Sequence, residues 1–262
     1  MTEQELILTH IRNCRRVDLY ADPRPLTMEE QFHLEHILAE RRCGKPLQYL
    51  LGECEFMGLK FTVNPSVLVP RPETELLVEL AIEKIKDKKE PSRILDIGTG
   101  SGNIAVSLAK FIPNAVITAL DCSVEALAVA RQNAKASEVE HRIGFFEADI
   151  FSVFALQNKF DLIISNPPYI PSHEIKNLPL DVQQEPRLAL DGGEDGLKFY
   201  RHIFSYAVKH LTEGGCLLME IGDGQSPALE RILQIYPELS FEFHKDYKET
   251  DRILAAKFQK GE

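Results

Sequence analysis

The chain has 262 residues, 44% hydrophobic and 27% charged, with 15 Gly and 15 Pro. Those values exclude collagen-like, coiled-coil and disordered chains as starting points, and the length allows one large domain or two smaller ones. With 30 Lys and Arg against 40 Asp and Glu, the formal charge of −10 argues against a basic face that grips duplex nucleic acid through many phosphates.

Glu3 and Glu5 sit where a signal peptide would carry positive charge, and no apolar run approaches the roughly 20 residues of a membrane span. The first 50 or so residues read as helical. Thr27 precedes MEEQFHLEHILAERR, and Glu30 three residues on completes a capping box. Phe32, Leu34, Ile37 and Leu38 supply the apolar stripe, and Gly44-Lys45-Pro46 breaks the helix. Arg41, Arg42 and Lys45 read as a solvated helix end that complements the macrodipole, in preference to a binding contact. Phe56, Leu59, Phe61 and Val63 alternate around Gly58 and predict a hairpin, closed by the turn signal Asn64-Pro65. Pro70 and Pro72 stiffen the exit into a helix that opens near Thr74 and carries Leu76, Leu77, Leu80 and Ala81 on one face. The expected division is a helical domain over 1–52, a hairpin and linker helix over 53–82, and an α/β domain over 83–262.

From Arg93 onward, RILDIG, AVITALD, IGFFEAD, FDLIISN and GGCLLMEIG are short apolar runs separated by helix-like stretches. Ile104, Leu108 and Phe111 share one helical face, as do Leu127, Ala130 and Ala134. Near-continuous apolar strands between helices predict a parallel sheet covered on both faces. LSFEFHKD and DRILAAKF are joined by too few residues for a helical crossover, so they should pair antiparallel. A parallel sheet that ends in an antiparallel hairpin resembles the seven-stranded sheet of class I S-adenosylmethionine-dependent methyltransferases. The five cysteines, Cys14, Cys43, Cys54, Cys122 and Cys216, contain no CxxC pair. They predict reduced thiols, a cytoplasmic protein and no metal site.

Three motifs carry chemistry. In ILDIGTGSGNIA a strand runs into Gly98, Gly100 and Gly102 just before a helix, a turn that lets a ligand approach the backbone closely. Gly100-x-Gly102-x-x-Ala105 also fits the relaxed dinucleotide fingerprint. Asp121 closes the next strand, about twenty residues on, where a carboxylate accepts both ribose hydroxyls of a nucleoside; the competing role is a helix N-cap, for which Ser123 is also placed. FDLIISNPPYI puts Asn166-Pro167-Pro168-Tyr169 at the carboxyl end of a buried strand. There the Asn166 oxygen and the Pro167 carbonyl can accept both hydrogens of a planar NH2 group, and Tyr169 can offer it a flat face. Such a cage aims a delocalised nitrogen at an electrophile.

NPPY after a glycine loop is shared by adenine-N6 DNA methyltransferases and by the protein glutamine methyltransferases of the HemK/PrmC family. The chain resembles the second group over nearly its whole length, in RRCGKPLQYLLG, VLVPRPETE, LDIGTGSGNIA, ISNPPYI, EPRLALDGGEDGLKFYR and LLMEIGDGQ. The resemblance implies methyl transfer from S-adenosylmethionine to N5 of the glutamine in the Gly-Gly-Gln tripeptide of peptide-chain release factors, leaving S-adenosylhomocysteine. It implies that Gly98, Thr99, Gly100, Ser101 and Gly102 line the methionine and ribose of the cofactor and that Asp121 holds the ribose. Asp149 and Asn166 should border the cofactor too, and Phe151 should pack on adenine where many relatives have Trp; this chain has none. Asn166, Pro167, Pro168 and Tyr169 should hold the glutamine. Glu185, Arg187 and Asp191 should shape the substrate loop, with Glu220 structural. The expected partners are release factors, without direct nucleic-acid contact and with the protein a monomer. The acidic total and the intact NPPY weigh against a nucleic-acid methyltransferase and a non-catalytic scaffold, and the missing Tyr-x-x-x-Lys pair against a dehydrogenase.

Overall fold

The computed structural model describes residues 2–21, 23–86, 88, 90–152 and 158–260. Four helices come first: α1 (Glu3–Arg12), α2 (Arg16–Ala21), α3 (Met28–Arg42) and α4 (Leu47–Leu51). Thr2 with Glu5 and Thr27 with Glu30 form complete capping boxes on α1 and α3, so the orphan N–H groups at both helix starts are met locally. Ile7, Leu34, Leu47 and Leu51 build a small core of their own. Phe32 does not join it and is 68% exposed. Two residues along a helix turn a side chain through more than half a circle, so Phe32 and Leu34 face opposite ways.

The hairpin pairs β1 (Glu53–Phe56) with β2 (Leu59–Thr62) through Met57 and Gly58, at φ 52° and 70°. Consecutive left-handed residues match the twist of a tight hairpin. Helix α5 (Pro72–Ile85) opens at Pro72, two residues before Thr74, with Arg71 as its N-cap; proline at the first helical position loses no hydrogen bond. Leu77, Val78, Ala81 and Ile85 of α5 and Phe56 and Phe61 of the hairpin pack into the core of the large sheet, whereas Ile7, Leu34, Leu47 and Leu51 form a separate core.

The large sheet takes β3 (Ser92–Ile97), β4 (Ala115–Asp121), β5 (Ile143–Glu147), β6 (Phe160–Ser165), β7 (Leu211–Glu220), β8 (Leu239–Lys245) and β9 (Asp251–Phe258). Its helices are α6 (Asn103–Phe111), α7 (Val124–Ala136), the short α8 (Leu180–Gln183), α9 (Lys198–His210) and α10 (Ser226–Leu233). Strand order is β5-β4-β3-β6-β7-β9-β8. The first five are mutually parallel, as their apolar runs predict, and β9 runs antiparallel to β7 and to β8, the latter as the short join between them predicts. Two apolar cores cover the two faces. Ile104 and Leu108 are buried, but Phe111, the last residue of α6, is 43% exposed and Ile112 is buried after it.

Asn133 of α7 is fully buried and ties three parts together. Its Oδ1 accepts from the Thr62 N–H at 2.8 Å, while Nδ2 donates to the carbonyls of Thr62 and Ser101 at 3.0 and 2.9 Å. Asn133→Ala leaves those backbone groups without partners, and denaturant unfolding of the full chain should show a loss on the order of 1–3 kcal/mol. A loss below a few tenths of that would show that the clamp contributes nothing to stability.

Candidate active site

Strand order reverses at β3, which has β4 on one side and β6 on the other. Open α/β sheets hold ligands at such a point, beyond the carboxyl ends of the strands. A cavity of about 730 Å³ lies there, between the loops that follow β3, β4 and β6.

The loop after β3 is pinned first. Gly98 and Thr99 both donate their N–H to the Leu120 carbonyl of β4, at 2.9 and 2.8 Å. Gly98 and Gly100 have φ of 75° and 54°, and a Cβ on either would meet nothing within 4 Å. Their open side faces the cavity, which Thr99 and Ser101 also line. Gly102 is absent from the cavity wall. It precedes α6 at φ 80°, and a Cβ there would come 3.0 Å from the Ala130 Cβ. Its missing side chain lets α6 pack closely on α7.

Below the loop, Thr99 donates to Asp96 Oδ2 at 2.7 Å, and Asp96 Oδ1 has no side-chain partner among the described residues. Complete burial pushes the Asp96 carboxyl up to about 7. Asp121 takes N–H bonds from Gly100 on Oδ2 at 2.8 Å and from Ser123 on Oδ1 at 2.9 Å. Each oxygen retains a lone pair for a ligand hydroxyl. Burial pushes Asp121 upward, against the pull of its backbone donors. Ser123 takes the N-cap position of α7 and accepts from the Ala126 N–H at 3.0 Å, so the cap role falls to it. Asp149 accepts from the Phe151 N–H at 3.0 Å, and both residues line the cavity. The Phe151 ring lies 5.0 Å from that of Phe199, with Lys198 Nζ 4.2 Å from its centroid.

The third wall is the exit of β6. Ser165 Oγ donates to the Ile97 carbonyl at 2.7 Å and joins the ends of β3 and β6. Asn166, Pro167 and Pro168 line the cavity. Asn166 Nδ2 donates to Thr74 Oγ1 at 3.0 Å, and Oδ1 has no hydrogen-bond partner among the described residues. Tyr169 departs from expectation. It is not part of the cavity wall; its ring packs on the second core and its hydroxyl donates to Glu220 Oε1 at 3.3 Å. A half-buried phenol needs a partner for its hydroxyl, and the buried carboxylate at the end of β7 supplies one. Glu220 is thus a support for the NPPY segment.

The block after NPPY braces this loop. Ile170 N–H donates to the Leu190 carbonyl at 3.0 Å, and Gly192 N–H returns to the Ile170 carbonyl at 2.8 Å. A Cβ on Gly192 would come 2.8 Å from the Tyr169 backbone, and one on Gly196 would collide with the Tyr169 carbonyl. That contact explains Gly192 and Gly196, two of the three glycines in DGGEDG. Glu185 accepts from the Val69 N–H at 3.2 Å and from Arg71 at 2.5 Å, and Arg187 pairs with Asp191 at 3.1 Å. Arg41 also reaches this segment, pairing with Asp181 at 3.1 Å. Sequence reasoning gave no role to Thr74, Arg71, Phe199 or Gln225, whose Nε2 donates to the Tyr169 carbonyl at 3.0 Å. PRPETE carried the signal for the first two.

The parallel sheet with its terminal hairpin, and the glycine loop, acidic strand end and NPPY exit around one cavity, define a methyltransferase domain. Residues 73–185 match the family described as the methyltransferase small domain, and residues 2–52 match the PrmC N-terminal domain. The chain is 42% identical over 241 residues to the release factor glutamine methyltransferase of Geobacter sulfurreducens, covering 91% of this chain and 82% of that protein. The protein of the same name from Moorella thermoacetica is 46% identical over 217 residues, covering 82% and 76%. A methyltransferase from Pyrococcus furiosus shares the fold, with a TM-score of 0.57 at 19% identity over 89% of this chain and 100% of its own. The chain belongs to the release factor glutamine methyltransferase family.

Asp96 makes the stability of the fold depend on pH. Its folded value near 7 lies above the ordinary 3.8, so between those pH values the folded state keeps a proton that the unfolded state releases. Stability from this group is full below the lower value and falls as pH rises through the upper one. Asp96→Asn should remove that fall, and its melting temperature relative to wild type should climb from pH 4 to pH 8. A pH-independent difference would contradict the assignment.

Proposed function

We propose that this chain transfers the methyl group of S-adenosylmethionine to N5 of the glutamine in the Gly-Gly-Gln tripeptide of release factors. The observation that carries this reading is the convergence of Asn166–Pro168 and Gly98–Ser101 on one cavity. The donor set fits the cofactor: open space over Gly98 and Gly100 receives a ligand chain, and Asp121 has acceptor capacity left for a ribose diol. Phe151 offers an apolar ring to the adenine, with Asp149 beside it.

S-adenosylmethionine supplies a sulfonium methyl as electrophile. The protein's part is orientation. The Asn166 Oδ1 and the Pro167 carbonyl accept the two hydrogens of the glutamine amide, which draws the nitrogen out of conjugation and aims its lone pair. Pro168 fixes the backbone between them and the Tyr169 anchor. No strong base is required before transfer, and Glu185, Arg187 and Asp191 shape the loop instead. Residues 1–52 would hold the release factor away from the glutamine, with 53–82 joining them to the catalytic part, 83–262. The enzyme would act as a cytoplasmic monomer.

Mass spectrometry of a release factor incubated with enzyme and cofactor should show one added methyl on the Gly-Gly-Gln glutamine. Methylation of DNA in place of the factor would overturn the substrate assignment. Asp121→Ala should weaken S-adenosylmethionine binding by about 1–3 kcal/mol in calorimetry. Asn166→Ala should lower kcat by about 10²–10³ with much less change in cofactor affinity. Asn166→Asp, which keeps an acceptor, should retain more activity than Ala. An Ala variant with normal turnover would reduce NPPY to a strand exit.

A further inference from the structure

Polar groups run in a line from the cavity wall into the core. Asn166 Nδ2 is 3.0 Å from Thr74 Oγ1, Thr74 Oγ1 is 2.6 Å from Glu220 Oε2, and the Tyr169 hydroxyl is 3.3 Å from Glu220 Oε1. Thr74 and Glu220 are each 1% exposed, which shuts out bulk water as an alternative partner. The three elements that meet here are α5, β7 and the exit of β6. Methylation of the amide releases one N–H proton, but to reach Glu220 it would have to cross the non-basic Asn166 amide, so this buried carboxylate needs another reason.

Counting protons supplies it. An ionised carboxylate only accepts hydrogen bonds, and a hydroxyl has a single proton to give. The Thr74 proton therefore goes to Glu220, and only lone pairs face Asn166. An N–H meets them; the Asn166 oxygen would be repelled. The amide is held with Nδ2 toward Thr74 and Oδ1 away from it. Rotated by half a turn, it would present its NH2 to the NH2 of the substrate, two donors face to face.

We propose that Glu220, acting through Thr74, locks the Asn166 side-chain amide with its oxygen toward the substrate nitrogen. Both are positioning residues, and the inference rests on Asn166 being the acceptor for the glutamine amide. The lock holds only while Glu220 is ionised. Burial and the neighbouring Glu73 oppose that charge; Arg252 and the Thr74 and Tyr169 hydroxyls favour it. Tyr200, packed on the same strand end, donates to the Glu220 backbone carbonyl at 2.9 Å and leaves the carboxylate to the other two hydroxyls. Protonated Glu220 would donate to Thr74 and turn the Thr74 proton toward Asn166, which reverses the line. The balance lies on the raised side, so this reversal falls above the ordinary carboxylate range.

The test compares full-length wild type, Thr74→Val and Thr74→Ser. NMR follows the Asn166 side-chain NH2 against pH, and kinetics follow kcat/KM for release factor. In wild type and Thr74→Ser the NH2 resonances should be protected from exchange and should shift with the Glu220 titration; in Thr74→Val both features should vanish. Thr74→Val should lose about ten- to a hundredfold in kcat/KM at pH 8, with unchanged S-adenosylmethionine affinity, and Thr74→Ser should stay close to wild type. The deficit of Thr74→Val should shrink as pH falls, because wild type loses the lock there too; a purely structural threonine would give a pH-independent deficit. An Asn166 NH2 insensitive to both pH and Thr74→Val overturns the lock, whatever the substrate. A wild type that shows the NMR signature but methylates no release factor leaves the lock standing and overturns the substrate reading.

Discussion

The parallel pairing of β3 with β4 on one side and β6 on the other is the constraint on which the site depends. It brings the carboxyl ends of three strands to one edge of the sheet, with Ile97, Leu120 and Ser165 as near neighbours. Three short bonds then convert strand ends into a rigid rim: Gly98 and Thr99 onto the Leu120 carbonyl, and Ser165 onto that of Ile97. Acceptors on adjacent strands thus fix the glycine loop and the NPPY exit relative to each other. Positional precision of this kind is what orientation-driven transfer requires.

Much of this was legible in the residues. Apolar runs at regular spacing gave the sheet, and the short join between LSFEFHKD and DRILAAKF gave its antiparallel end. The capping box at Thr27 and the hairpin at Gly58 have purely local causes, so they were readable too. Phe32 and Tyr169 were not. Phe32 looked like part of a stripe because it is apolar, yet its angular position on the helix puts it in solvent. Tyr169 looked like a substrate face because of its motif, and its direction is decided by a carboxylate 51 residues away in the chain.

The same distinction separates Gly98 and Gly100 from Gly102. All three have left-handed backbone, but two open onto the cavity and one abuts Ala130. A glycine pattern announces a tight turn without saying which member meets a ligand and which meets a helix. Thr74 was invisible for a related reason: its partners, Asn166 and Glu220, lie 92 and 146 residues further on.

The brace on NPPY bears on how the protein is made. The glycine loop and Asp121 are complete once β4 and the start of α7 have left the ribosome. The backbone of Tyr169 is held by Gly192, Gly196 and Gln225, all of which are synthesised later. Synthesis proceeds from the amino terminus and domains fold as they emerge. A partly made chain therefore possesses the glycine loop and Asp121 before it possesses a braced NPPY exit. The NPPY segment is fully braced only once Gln225 has been made and the later strands close the sheet behind Glu220.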